Sequence, residues 1–309
     1  VTGDRSAVAV RDLARPLHRL GRVEAAVVET LAYSDVYDWP LTAAEVHRFL
    51  PIAASPTDVD AALATPGLVH LVASVEDCHM LRGREHLAGL RRRRAAACAR
   101  LWPQVVRRGR MLARIPFVRM VAVSGSLAAG AAADGDDVDL FIVTDDGRLW
   151  LSRALAIAAG RLPPRHGATL CPNYMLAASR MELAERDLYT AHELAQLVPL
   201  FGRDTYAALL QRNRWYREFL PNHPGWTRDI AEPCVRHSRR LLSAALPGPL
   251  ASRMERWEME RKVARLRTAP GASAEACFDA STCKGHLDGH RQRFWVAFRA
   301  RLDALEACA

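Results

Sequence analysis

The sequence predicts an α+β protein whose strands gather in the middle of the chain, with helical segments before and after them. Three observations predict this. Between Val23 and Gly67 the apolar residues recur at helical spacing, broken by Pro and capping residues. Between Val118 and Val143 two apolar runs of strand character bracket a stretch of small residues. Beyond Glu185 helical spacing returns almost to the end. A chain of 309 residues exceeds what one hydrophobic core commonly fills, so division into units at 1–88, 89–180 and 181–309 is expected. Half the residues are apolar and a quarter charged, which is ordinary globular composition and excludes a disordered or fibrous chain.

Val23, Ala26, Val27, Thr30 and Leu31 form one helical face, which Trp39-Pro40-Leu41 ends. Thr42 to Glu45 is a capping box that opens a second helix reaching Leu50. Ser55-Pro56-Thr57-Asp58 starts a third, which stops near Pro66-Gly67. Leu68 to Ser74 and His79 to Arg82 then read as two strands around a turn. Three short helices and a hairpin are the element order of a winged-helix-like domain. A duplex-DNA reader of that kind needs a basic third helix; this one carries Asp58 and Asp60 and no Arg. A structural or protein-contacting unit is therefore expected, and a duplex-DNA partner is not.

The net charge of +9 is unevenly spread. Residues 22–88 hold four Arg against ten Asp or Glu, whereas residues 89–119 hold ten Arg and no acid. In the second segment Leu90, Arg94, Ala97, Leu101, Val105 and Leu112 space out as a long helix with one apolar stripe, and Pro103 is a candidate kink. Its Arg residues either attract polyanions, such as nucleotide phosphates or an RNA backbone, or form a solvated face. Only Lys262 and Lys284 are lysines, so Arg is this chain's default cation.

The Val118–Val123 strand runs into Ser124-Gly125-Ser126, and ten residues separate Ser126 from Asp137. Asp137-Val138-Asp139-Leu140-Phe141-Ile142-Val143 follows. Alternation on a strand places Asp137 and Asp139 on one face and Val138, Leu140 and Ile142 on the other. Two neighbouring carboxylates on an apolar strand are costly unless cations neutralise them. Hard oxygen ligands of this kind suit Mg²⁺ or Mn²⁺ held together with substrate phosphates. Gly125 allows close backbone approach to a phosphate, and the amides and the Ser126 hydroxyl are donors to it. The bland alternative is a capped turn beside a surface acidic pair.

This arrangement of apolar strand, Gly-Ser, spacer and Asp-x-Asp resembles the DNA polymerase β-like nucleotidyltransferase superfamily. The resemblance covers residues 118–143. It implies a small mixed-sheet nucleotidyltransferase core at 89–180, led by the Arg-rich helix and followed by a helical substrate domain. It also implies that Gly125 and Ser126 hold the β- and γ-phosphates of an NTP while Asp137 and Asp139 bind Mg²⁺ or Mn²⁺. An acceptor oxygen would then attack the α-phosphate and release pyrophosphate. Active members place a third carboxylate on a later strand. The candidate strand here, Ala168 to Leu176, offers Cys171 and Asn173 but no acid, so either Asn173 stands in that place or Glu182 or Glu185 reaches in. A degenerate protein that binds nucleotide or RNA without turnover is the alternative. The acceptor is left open among a small molecule, a tRNA end or other RNA, and a protein hydroxyl.

In the C-terminal half, helices are expected over 185–197, 203–213, 228–242, 250–266 and 286–305. His192 is read as a partly buried histidine rather than a substrate contact. Lys284 is a candidate phosphate contact, because a compact ammonium persists there in an Arg-dominated chain. Cys277, Cys283, His286 and His290 are soft or borderline ligands, yet the Cys-x5-Cys spacing argues against zinc. The seven scattered cysteines contain no CxxC pair, and the first twenty residues carry charges rather than an apolar signal core. No apolar run reaches the ~18 residues of a membrane span. A cytoplasmic protein with reduced thiols and no membrane partner is expected.

Overall fold

The computed structural model describes residues 20–160, 169–225, 228–267, 275–285 and 289–308. Residues 1–19, which carry the expected absence of a signal core, and His286 lie outside them.

The first elements are α1 (Arg22–Asp35), β1 (Leu41–Thr42), α2 (Ala43–Phe49), α3 (Pro56–Leu63), β2 (Val72–Val75) and β3 (Cys78–Leu81). α2 opens on the capping box: Thr42 N–H donates to Glu45 Oε2 at 2.8 Å, and Glu45 N–H returns to Thr42 Oγ1 at 3.3 Å. Ser55 and Asp58 repeat the exchange at α3. The strands form an antiparallel sheet in the order β1-β3-β2. β2 begins only at Val72, because Pro66–Leu68 closes into a 3-10 turn where an extended run from Leu68 was expected.

Then come α4 (Leu87–Leu112), β4 (Val118–Val123), α5 (Gly125–Ala128), β5 (Val138–Thr144), α6 (Leu149–Gly160) and β6 (Leu170–Ala177). The remainder is α7 (Leu188–Ala195), β7 (Val198–Phe201), α8 (Arg203–Arg212), α9 (Tyr216–Phe219), α10 (Arg236–Ala245), α11 (Gly248–Arg267), β8 (Cys277–Phe278), β9 (Thr282–Lys284) and α12 (His290–Cys308). A six-stranded sheet runs β7-β4-β5-β6-β9-β8. β5 and β6 are parallel and the other pairs antiparallel, so the protein is α+β with a mixed sheet.

β7, β8 and β9 correct the expectation of an all-helical 181–309. That boundary runs through the sheet, whose two edges come from the C-terminal half. These strands are too short to show an alternating pattern, and β7 contains Pro199.

The sheet is buried on both faces. Met120, Ala122, Phe141, Val143 and Leu176 pack with side chains of α1, α7 and α12. Val121, Val123, Leu140, Ile142 and Met175 pack with α4 and α6. A bulge between Val118 and Met120 shifts the alternation, so Val118 joins the second face. α4 continues through Pro103, and its first Arg residues serve the acidic N-terminal unit. Arg91 pairs with Glu45 at 2.9 Å and Arg92 with Glu76 at 2.5 Å, while Arg94 donates to the Tyr37 and Asp38 carbonyls. Among the described residues no helix is long and apolar enough to cross a membrane.

Candidate functional site

The antiparallel pairing of β4 and β5 sets the end of one strand beside the start of the other: Ser124 N–H donates to the Asp139 carbonyl at 2.9 Å. The chain then turns at Gly125, whose φ is +63°, into the short α5. A Cβ on Gly125 would lie 2.6 Å from Asp139 Oδ2, so backbone and carboxylate meet where no other residue type fits. The turn is closed by Ala129 N–H to the Gly125 carbonyl and Ala131 N–H to the Ser126 carbonyl, at 3.1 and 2.7 Å. First-turn amides have no acceptor within their own helix, which leaves those at Gly125 and Ser126 as donors for a ligand.

Gly125, Ser126, Asp136, Asp139, Asn173, Glu193 and Lys284 line one cavity of about 420 Å³, which extends to α1 and α2. Burial first, then the charges of Asp137 and Asp136, pushes the Asp139 carboxyl up to about 6. Glu193 is raised to about 7 by burial and by Asp139, with Lys284 opposing. Two acids that disfavour each other's ionised form are a natural partner for a cation.

Asp137 is placed differently from the expectation. It is exposed and does not line the cavity, although its charge reaches Asp139. β5 begins only at Val138, so strand alternation does not govern position 137, and Asp136 lines the cavity instead.

The carboxylate oxygens fit a hard divalent cation, and the Gly125 cradle holds Asp139 in place. Among the described residues no three His, Cys, Asp or Glu side chains group closely enough to hold a metal by themselves. Mg²⁺ commonly binds through one or two carboxylates and completes its shell with water and phosphate oxygens.

Asn173 sits where β6 shifts register between Pro172 and Tyr174, and it lines the cavity beside Gly285. Glu182 is exposed and pairs with Arg186 at 2.7 Å; it does not reach the site. Glu185 is held outside the lining by Lys284 at 3.0 Å. Burial raises the Glu185 carboxyl, but Lys284 outweighs it and holds the group below its ordinary value. Lys284, 7% exposed, also stands 5.5 Å over the Tyr174 ring, so its charge is shared with Glu185 at the cavity wall.

α7 brings a further acid, Glu193, to the cavity. Asp187 caps that helix, its Oδ1 accepting from Thr190 N–H at 2.8 Å and its Oδ2 from Arg291 Nε at 2.6 Å. Tyr189 and Glu193, one turn apart, both line the cavity. Their helical spacing was visible in sequence; the side facing Asp139 was not. His192 is buried, stacked on Tyr33 at 3.7 Å and on Phe49 at 5.0 Å.

Cys277 and Cys283 do not converge. Cys277 is registered with Lys284, and Cys283 with Phe278, so the two thiols occupy opposite faces of the β8–β9 hairpin. His290 lines the main cavity instead.

No protein family, curated protein or solved structure matches the chain.

Proposed function

We propose that the chain is a metal-dependent nucleotidyltransferase of the DNA polymerase β-like kind, moving an NMP from an NTP to an acceptor with release of pyrophosphate. In this reading the mixed sheet is the catalytic core, residues up to 88 form a winged-helix-like unit, and the C-terminal helices complete the substrate site. The observation that carries it is the contact of the Gly125 turn with the Asp139 carboxylate inside a cavity that also holds Glu193. Asp139→Asn is expected to abolish Mg²⁺- or Mn²⁺-dependent NTP turnover without loss of the folded state. Unchanged turnover overturns the reading.

The amides of the turn and the Ser126 hydroxyl grip the β- and γ-phosphates, fixing the triphosphate before the chemistry. Asp139, with Asp136 and Asp137 beside it, is the anionic surface for the metal. Mg²⁺ or Mn²⁺ there supplies charge neutralisation for the phosphates and alignment of the attacking and leaving oxygens. Glu193, raised to about 7, is matched to accept the acceptor's hydroxyl proton near neutral pH. The acceptor oxygen bonds to the α-phosphorus, the bond to the β-phosphate bridging oxygen breaks, and pyrophosphate leaves. Lys284 balances the negative charge at Glu193 and Glu185.

A second reading, nucleotide or RNA binding without turnover, is favoured by one observation: a neutral Asn173 on the strand where active members carry an acid. It predicts nucleotide binding that survives Asp139→Asn and no labelled product from the wild type. RNA as acceptor draws less support than the Arg count suggested, because Arg91, Arg92 and Arg94 are engaged with α2, the hairpin and the turn after α1.

A further inference from the structure

The charged residues of the cavity lining fall into two groups. Asp139 acts on Glu193, with Asp136 and Lys284 beside them, and Arg48 acts on His223; no step above assigns this second group a role. Arg48 is half-buried on α2, and no carboxylate partners it among the described residues. The cavity's nearby acid on the same helix, Glu45, is already held by Arg91 at 2.9 Å.

His223 is 3% exposed. Gly225 N–H donates to its Nδ1 at 3.1 Å, so in the neutral ring the proton sits on Nε2. That Nε2–H is buried and has no partner. Burial first, then the charges of Arg48 and Arg217, pushes the ring's pKa down to about 4, which keeps it a neutral donor at physiological pH. His192, 4% exposed, adds a second buried and unpartnered nitrogen, Nδ1. The Phe49 ring packs on both imidazoles, 5.0 Å from His192 and 5.6 Å from His223.

An unpartnered buried donor is unfavourable as it stands, and an anion satisfies it while pairing with the Arg48 guanidinium. The volume matches sites for small organic molecules, which span roughly 300–1,000 Å³. We propose that this part of the cavity lining is an acceptor subsite, in which a small molecule docks a carboxylate or phosphate on Arg48 and the His223 Nε2–H. Asp139 and Glu193 repel that anion, so it is the ligand's hydroxyl that is turned toward them. The acceptor role rests on the nucleotidyltransferase reading; the anion site does not.

Inorganic phosphate and acetate, titrated separately into the full chain, test the site by calorimetry and by the histidine ¹⁵N resonances. Saturable binding of either ion that shifts the His223 signal is expected. Phosphate alone would identify a phosphorylated acceptor, and acetate a carboxylic one. Arg48→Gln and His223→Phe should each weaken binding about tenfold or more, and Arg48→Lys should recover part of the loss. Circular dichroism checks that each variant folds. Binding that never saturates, or that folded Arg48→Gln and His223→Phe leave at wild-type strength, overturns the proposal. Asp139→Asn separates the two layers: it should abolish NTP turnover and leave the anion titration as tight as in the wild type or tighter. Unaffected turnover would remove the acceptor role, while the titration still decides the site.

Discussion

The Asp139 carboxylate lies against the backbone of Gly125 so closely that a methyl group at position 125 would stand 2.6 Å from Oδ2. Turn and acid are therefore packed as one structural unit, and adding bulk to the turn displaces the acid. Gly125→Ala must move the carboxylate and must also hold an L-residue at φ +63°. It is expected to cost about 1–2 kcal/mol of stability and to reduce NTP turnover far more than that loss would explain. Thermal denaturation alongside turnover measures both; a variant equal to wild type in each would dissociate the turn from the site.

Glu193→Gln separates chemistry from stability. If Glu193 takes the acceptor's proton, the variant should lose roughly 10²–10⁴ in kcat, and the acidic limb of the pH–rate profile near 7 should vanish. Stability should move the other way. The folded-state pKa is raised, so ionisation disfavours the fold increasingly as pH rises from the ordinary value of 4.5 through about 7. The glutamine variant is thus expected to match or exceed wild-type stability at pH 8. A retained acidic limb would assign the base elsewhere.

The elements that carry the site were legible because their pattern is local. The strand at 118–123, the capping boxes at Thr42 and Ser55 and the Gly-Ser turn depend on a few adjacent residues. What depended on tertiary pairing was not legible. β7 and β9 acquire their identity from β4 and β6, far away in sequence, and so they read as helix ends or loops. The same limit governed the site. Asp137 precedes the first paired residue of its strand, and Glu193 faces Asp139 only because Asp187 fixes where α7 begins. The Arg-rich helix was visible as charge, but its partners in α2 and the hairpin were not.

Asp35 joins three distant parts of the chain. Its carboxylate, 6% exposed, accepts from Arg84 Nε at 2.8 Å and from Arg301 Nε at 2.7 Å, tying α1 to the segment after β3 and to α12. α1 also forms a wall of the cavity through Thr30, Tyr33 and Ser34, with Tyr37 from the turn that follows it. Removing one partner of a buried pair strands the others, so Asp35→Ala should destabilise by roughly 3 kcal/mol. Denaturant melts give the value directly. A loss below about 1 kcal/mol, the range of surface pairs, would mean that the two guanidinium groups find water instead.

Glu29 gives the pH dependence of stability its simplest test, since among the described residues it stands apart from the cavity lining and from any ion pair. It is 8% exposed, its Oε1 has no hydrogen-bond partner, and burial alone pushes its carboxyl from 4.5 up to about 7. Below 4.5 both folded and unfolded chains hold the proton and the group is neutral in its effect. As pH rises, the unfolded chain ionises first, so folding is progressively disfavoured until the folded-state value near 7 is passed. The full penalty above that pH is roughly 3 kcal/mol. Glu29→Gln removes the ionisation and keeps the shape. Urea melts should therefore show the variant and wild type close together at pH 4.5 and the variant more stable at pH 8. Parallel curves across that range would show that Glu29 ionises in the folded chain as easily as in the unfolded one.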